Sequence, residues 1–202
     1  MIIHYFGLGS FRLQSNGLSI LLDPADSKTG IKMPRMQNDL VLYSHQSKDP
    51  GSLEKALVIN CPGEYEAKGC FVYGIPVNHD DAGRTMFVIE VEGMRLAYLG
   101  AFTQAQFTEE QLDRLEGVDI LMLPVGGGES LNSEKAVELV NQIEPRVVIP
   151  MYYQMPGLKL KLDPVEKFKK DSAYKSETVD KYKIVKKDLP QEETRLIIIT
   201  PS

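Results

Sequence analysis

Two histidines and an aspartate stand where apolar runs give way to polar residues. The stretch Leu40-Val-Leu-Tyr-Ser-His-Gln-Ser-Lys-Asp-Pro50 places His45, Ser47 and Asp49 at alternate positions before a Pro-Gly break. A second apolar run ends in Val77-Asn-His79. Two histidines and one carboxylate have the composition of a facial triad, which holds a single ferrous or zinc ion and leaves positions open. With an ion present, bound water would ionise near neutral pH, and Asp49 would act as ligand or base. The plainer expectation is that His45 and His79 are pocket histidines hydrogen-bonded to backbone or water.

Cys61 precedes Pro62-Gly-Glu-Tyr-Glu66. As a thiolate near either histidine it would be a nucleophile or ligand. Both Cys61 and Cys70 fall in runs that read as strands, so packed, free thiols are the expectation. Glu64 and Tyr65 are pocket-side candidates with no chemical step assigned. His4 lies in the first strand and reads as a strand or core histidine. Gly126-Gly-Gly128 lacks the lysine and spacing of a phosphate loop, and reads as a turn into a helix whose N-terminus would favour an anion.

Rigid elements must bring such residues together. Several apolar strands end in polar or special residues: Ser44-His45, Val77-Asn-His79, Leu99-Gly-Ala101 and Pro150-Met-Tyr-Tyr153. Strand-end loops are where ligand and catalytic groups concentrate, because the strands hold position while the loops vary. If these four ends converge, they form a pocket.

The first hundred residues read almost entirely as strands, over 1–6, 11–14, 18–22, 39–44, 56–60, 69–77, 86–91 and 95–99. Hairpin turns are expected at Asn16-Gly17 and Glu92-Gly93. Thr108-Glu-Glu-Gln111 is a capping box that opens a helix to about residue 116. A strand over 118–123, a helix over 133–143 ended by Pro145, and a strand over 146–150 follow. A third helix is expected from a cap at Asp163, with Pro164 at its first position and Glu166 three residues after the cap. The Lys-, Asp- and Ser-rich stretch 169–187 reads as a solvated excursion before a closing strand over 194–200. Amphipathic helices need a sheet to cover, so two packed sheets with helices outside are expected.

Composition narrows the class of protein. The 202 residues are 43% hydrophobic and 25% charged, sufficient for a sizeable core. No linker divides the chain, so residues 1–202 are expected to form one domain. The net charge of −5 is spread over both halves, without the basic stripe that binds nucleic acid. No window approaches the roughly 20 apolar residues of a membrane span, and the N-terminus lacks the pattern of a signal peptide. A cytoplasmic protein is expected.

Nearly end to end, the chain resembles the metallo-β-lactamase superfamily, in the branch of small bacterial metal-dependent hydrolases similar to ascorbate-6-phosphate lactonase. The resemblance is carried by Tyr5-Phe-Gly-Leu-Gly-Ser-Phe11, Leu21-Leu-Asp-Pro24, Ser44-His45, Pro62-Gly-Glu-Tyr-Glu66, Gly74-Ile-Pro-Val-Asn-His-Asp80, Leu99-Gly100, Pro124-Val-Gly-Gly-Gly128 and Pro150-Met-Tyr-Tyr153. It implies an α/β fold, a four-layer αββα sandwich of two mixed β-sheets flanked by helices. It also implies two metal ions, usually zinc, held by a His-x-His-x-Asp-His loop, a later His, an Asp and a final His.

Carried over by position, the first loop histidine is His45, the loop aspartate Asp49 and the later histidine His79. The second loop histidine is replaced by Ser47, the third by Pro50, the bridging aspartate by Ala101 and the final histidine by Tyr152. Serine is a poor zinc ligand, and proline and alanine have no side-chain donor. The resemblance therefore implies a degenerate site, with His45, Asp49 and His79 as residual candidates and no metal expected, or at most one Zn or Fe ion. The expected function is a non-hydrolytic binding or scaffold protein that takes a small molecule or protein. The alternative is a hydrolase of small phosphorylated or lactone-type substrates on a rebuilt single-metal site. Self-association and pairing with an active paralogue are both open at this level.

Overall fold

In a computed structural model of the chain, the described residues are 1–45, 56–77 and 83–202. The expected site residues Ser47, Asp49, Pro50 and His79 lie outside them. The strands are β1 (Ile2–Gly7), β2 (Ser10–Ser15), β3 (Leu18–Leu22), β4 (Leu40–Leu42), β5 (Leu57–Ile59), β6 (Gly63–Ala67), β7 (Cys70–Pro76), β8 (Thr85–Val91) and β9 (Met94–Tyr98). The helix α1 (Glu109–Leu115) leads to β10 (Ile120–Pro124), α2 (Ser133–Ile143) to β11 (Val147–Met151), and α3 (Val165–Ser172) to β12 (Lys175–Val179), β13 (Tyr182–Lys183) and β14 (Arg195–Ile199).

These strands form two mixed sheets. The first runs β13-β1-β2-β3-β4-β5 and the second β12-β14-β11-β10-β9-β8-β7-β6. Two-residue turns at Asn16-Gly17 and Glu92-Gly93 have positive φ at both positions and join antiparallel neighbours, as the sequence predicts. Where helices intervene, strands run parallel: β9 to β10, β10 to β11, and β11 to β14. Every residue of β10 and β11 is buried, the mark of parallel strands covered on both faces. The inner layer packs Tyr5, Phe11, Leu13 and Ile20 of the first sheet into one core with Phe87, Tyr98 and Leu96 of the second. Each such side chain stabilises the fold by about 1.5–3 kcal/mol relative to exposure.

Helix signals were legible to different degrees. Thr108 Oγ1 accepts from Gln111 N at 3.2 Å while Gln111 Oε1 accepts from Thr108 N at 3.0 Å, completing the predicted capping box. The α2 helix is capped by Asn132 and packs on α3 and β10. The third helix departs from expectation: Pro164 is the cap and makes no side-chain cap bond. Asp163 instead accepts from Lys167 Nζ at 2.8 Å, so an ion pair one turn apart replaces the cap.

The stretch 169–187 is not an excursion, since β12 pairs with β14 and β13 with β1. Its charge marks exposed edge strands, a composition that resists edge-to-edge pairing. The same physics conceals β6, whose Glu64 and Glu66 face solvent at the other edge. Among the described residues no helix is long and apolar enough to cross a membrane.

Candidate functional site at the strand ends

Asp23 follows β3 and turns the chain in the left-handed region, with φ 36°. Its backbone is fixed from two sides: Asp23 N donates to Leu42 O at 2.9 Å, and Ser10 Oγ donates to Asp23 O. The Asp23 side chain is 2% exposed. A buried carboxylate costs several kcal/mol unless its oxygens are satisfied. Here Oδ1 accepts from Ser44 N at 2.6 Å, while Oδ2 accepts from Ser44 Oγ and from the Tyr98 hydroxyl at 2.6 Å. All three donors are neutral. His45 Nδ1 lies 3.8 Å from Oδ1 and 3.4 Å from Ser44 Oγ. The imidazole is thus turned toward the acid at its back, with 48% of its side chain exposed.

Two glycines permit this packing. A Cβ on Gly9 would come within 2.6 Å of the Tyr98 hydroxyl and 2.7 Å of the Tyr152 ring. A Cβ on Gly100 would lie 2.1 Å from Ser44 Oγ, and its φ of +60° is itself unfavourable to a side chain. Burial, and secondarily the Asp23 charge, pushes the phenol pKa of Tyr98 well above its usual value. Burial does the same at Tyr152, where Asp23 adds to the rise and Arg84 opposes it. Both hydroxyls therefore stay protonated at neutral pH.

The two sheets are tied at this end by backbone. Thr85 N, at the start of β8, donates to Ser44 O at 2.8 Å. That bond sets Arg84 beside Ser44-His45, and its guanidinium crosses to the next strand end, donating to Ala101 O at 2.5 Å. Tyr152 N donates to Leu8 O at 3.0 Å, which brings in the end of β11.

Backbone strain marks the same place. Eight non-glycine residues among those described have positive φ. Asn16, Lys68 and Glu92 sit in hairpin turns, and Glu144 and Ala173 end helices. The remaining three, Leu8, Asp23 and Tyr152, all belong to this cluster. Each such residue costs on the order of 1 kcal/mol or more, and such outliers persist where surrounding contacts over-determine them.

Thus the structure brings together His45, Ala101 and Tyr152 of the residues predicted from sequence. It does not bring in the cysteine: Cys61 lies in an exposed bend rather than a packed strand, with Sγ 3.1 Å from the Tyr65 hydroxyl. The Pro62-Gly63 break and the exposed edge strand after it leave Cys61 nothing to pack under. Cys70 is buried, which pushes its thiol up to about 11. Glu64 is on the β6 edge, 3.3 Å from Arg114, away from the cluster. The α2 N-terminus is already satisfied by Asn132, and Ser133 Oγ donates to Asp171 at 2.6 Å. Sequence reasoning missed Asp23, Tyr98 and Arg84. An acid closing the apolar run Leu18 to Leu22 was a usable signal for the first, whereas nothing local distinguishes the other two.

Among the described residues no three His, Cys, Asp or Glu side chains gather as a metal ligand set. The donor chemistry at the two other strand ends also fits a cation poorly. Ala101 has no side-chain donor, and Tyr152 would have to ionise against a burial effect that raises its pKa.

The sequence matches the β-lactamase superfamily domain over residues 2–152. A UPF0173 protein of Pyrococcus abyssi is 24% identical over 183 residues, covering 78% of this chain and 85% of that one. A UPF0173 metal-dependent hydrolase of Bacillus mycoides is 24% identical over 194 residues, covering 76% and 85%. The crystal structure of a candidate Zn-dependent hydrolase of the metallo-β-lactamase superfamily from Thermotoga maritima superposes with a TM-score of 0.80, at 28% identity, over 98% of this chain and 99% of that one. The order of strands, the two mixed sheets and these matches together make the chain a member of the metallo-β-lactamase superfamily, with that superfamily's fold.

Proposed function

We propose that this chain keeps the superfamily's scaffold without its di-metal centre, and works by binding a ligand rather than by hydrolysis. The observation that carries this reading is the packing at Gly9, where the Tyr98 hydroxyl and the Tyr152 ring take the space beside a strand end. A second support is that Asp23 is satisfied by neutral donors and so needs no cation to offset its burial. Curated relatives are named metal-dependent hydrolases, and the resemblance read from the sequence implies metal ligands at positions 101 and 152, where this chain has alanine and tyrosine. Two free thiols suit a reducing compartment, and we place the protein in the cytoplasm on that ground.

The test is elemental analysis of protein purified without chelator. Sub-stoichiometric zinc, iron and manganese are expected, unchanged in His45→Ala. Stoichiometric metal lost in His45→Ala or His79→Ala would overturn the reading. One observation favours a second reading, that of a hydrolase: the acid behind His45 has the arrangement that orients a general base. Turnover of phosphoester, lactone or β-lactam substrates that vanishes in His45→Ala would establish it.

A further inference from the structure

We propose that a groove on the outer face of the first sheet, at the hairpin end of β2 and β3, binds a small monocarboxylate with an apolar body, its carboxylate held by Arg12. The groove lies at the opposite ends of β2 and β3 from Asp23. Its occupancy therefore does not depend on whether the strand-end cluster hydrolyses anything.

Alternation along the strands builds the groove. Phe11 and Leu13 of β2 and Leu18 and Ile20 of β3 turn into the common core, which leaves Arg12, Gln14 and Ser19 on the other face. Opposite them, residues 36–39 return the chain to β4 and are pinned to β3: Asp39 N donates to Ser19 O, and Ser19 N donates to Asp39 Oδ2, both at 2.8 Å. The space between is about 780 Å³, within the range of small-molecule sites. Half-buried Ile2, Met36 and Ala56 supply apolar wall. Met36 and Ala56 are held in place by packing on buried Leu21 and Val41.

Around Ser19 the polar wall runs out of acceptors. Arg12 Nε donates to Ser19 Oγ at 2.8 Å, and Arg12 Nη2 donates to Gln37 O at 3.1 Å. Having accepted from Arg12, Ser19 Oγ gives its own hydrogen to Asn38 Oδ1 at 2.9 Å, which turns Asn38 Nδ2 away from it. That nitrogen is buried and has no hydrogen-bond partner among the described residues. Orphaned buried donors are uncommon in folded proteins, and this one marks a missing acceptor. Asn38 as a whole is only half-buried, so a small shift of its side chain presents the nitrogen to the groove.

Charge selects the ligand. Of the described residues that line the groove, Arg12 and Asp39 are the charged ones. Asp39 is answered at Oδ1 by Lys68 Nζ and at Oδ2 by the Ser19 amide. Arg12 makes no ion pair among the described residues, and two of the five N–H groups of its guanidinium are engaged. The two oxygens of a carboxylate match the N–H groups that remain on the planar fork. Asp39 close by disfavours a phosphate, whose further charge it would repel.

Octanoate is the probe, titrated into the isotope-labelled full chain and followed by the amide resonances. Acetate and octanamide are the references, the first lacking the apolar body and the second the charge. Saturable shifts at Ser19, Gln37, Asn38 and the Asn16-Gly17 turn are expected with octanoate, at an affinity about tenfold or more above either reference. Arg12→Lys keeps the charge without the fork and should weaken octanoate about tenfold. Asn38→Asp sets a second carboxylate against the ligand and should weaken it at least as much, whereas Lys135→Gln, on the helix that covers the second sheet, should leave it unchanged. Shifts that map elsewhere, octanoate no tighter than octanamide, or equal affinities in wild type and Arg12→Lys would each overturn the proposal. The wild-type map decides alone should a variant not fold. Stoichiometric metal in the same preparation would sink the non-hydrolytic reading above and leave this one standing.

Discussion

Asp23 and Asp119 are each 4% exposed and each sit at the end of a strand, yet their surroundings are opposite in kind. Asp119 precedes β10 and is met by cations: Lys186 Nζ at 2.9 Å and Arg146 Nε at 3.6 Å, with Arg95 N donating at 2.9 Å. Those two cations are 56% and 41% exposed, so they come in from the surface and their charges stay hydrated. Asp119 O also accepts from Arg146 N and Val147 N, both at 3.0 Å, which makes the residue a clamp across β9, β10 and β11. At Asp23 the partners are a buried phenol, a serine hydroxyl and an amide, with a histidine imidazole just beyond hydrogen-bond range. One aspartate is a structural clamp met by surface cations. The other is held by neutral donors beside the half-exposed His45 imidazole.

Removal of each acid should separate the two most sharply. Asp23→Ala strands the Ser44 amide and hydroxyl in the interior and leaves the Tyr98 hydroxyl only its 2.8 Å bond to Gly9 O, and should cost about 3 kcal/mol or more in urea unfolding. Asp119→Ala releases cations that rehydrate and leaves one backbone amide to find water, so about 1–2 kcal/mol is expected. Equal losses would erase the distinction.

Gly9→Ala probes the Asp23 cluster without touching charge. Its new methyl must displace the Tyr98 hydroxyl or the Tyr152 ring, and a loss of about 1–3 kcal/mol is expected. A neutral result would mean that the two tyrosines yield readily, and that their packing does not define the cluster.

The smallest effect is a pH dependence carried most strongly by the tyrosines around Asp23. Burial raises the phenol pKa values of Tyr5, Tyr98 and Tyr152, and that of Tyr153 to about 12. The unfolded chain ionises these groups near pH 10 while the folded chain keeps them protonated. Their contribution is therefore complete below about pH 10 and is lost as pH rises above it, by about 1.4 kcal/mol per pH unit for each tyrosine. Tyr152→Phe should remove one such increment from the slope of the alkaline limb, while Lys186→Met should not alter it. An unchanged slope in Tyr152→Phe would show that its phenol ionises as freely folded as unfolded.

Much of the scaffold was legible because its signals are local. The hairpin residues Asn16-Gly17 and Glu92-Gly93, the capping box at Thr108 and the apolar face of α2 each act within a few residues of chain. The edge strands β6 and β12 were not legible, since an exposed strand has no buried face to enforce alternation. Asp163 also misled: as a cap it was plausible by type, but Lys167 one turn on competed for its carboxylate. At the site, His45, Ala101 and Tyr152 were named from strand ends and from the resemblance, whereas Cys61 was misplaced because its burial depends on a neighbour that the edge does not supply.

By itself, the sequence determined most of the order of elements and the likeness to the metallo-β-lactamase superfamily, and it directed attention to alanine and tyrosine at positions 101 and 152. Only the tertiary structure decided what those two residues surround. The Tyr98 hydroxyl meets Asp23 across 75 residues of chain, and Arg84 meets the Ala101 carbonyl across 17. No pattern of period two or three and a half encodes such pairs. They exist because two sheets, each folded by local rules, are brought face to face by burial of their common core, and burial then fixes which donors the Asp23 carboxylate finds.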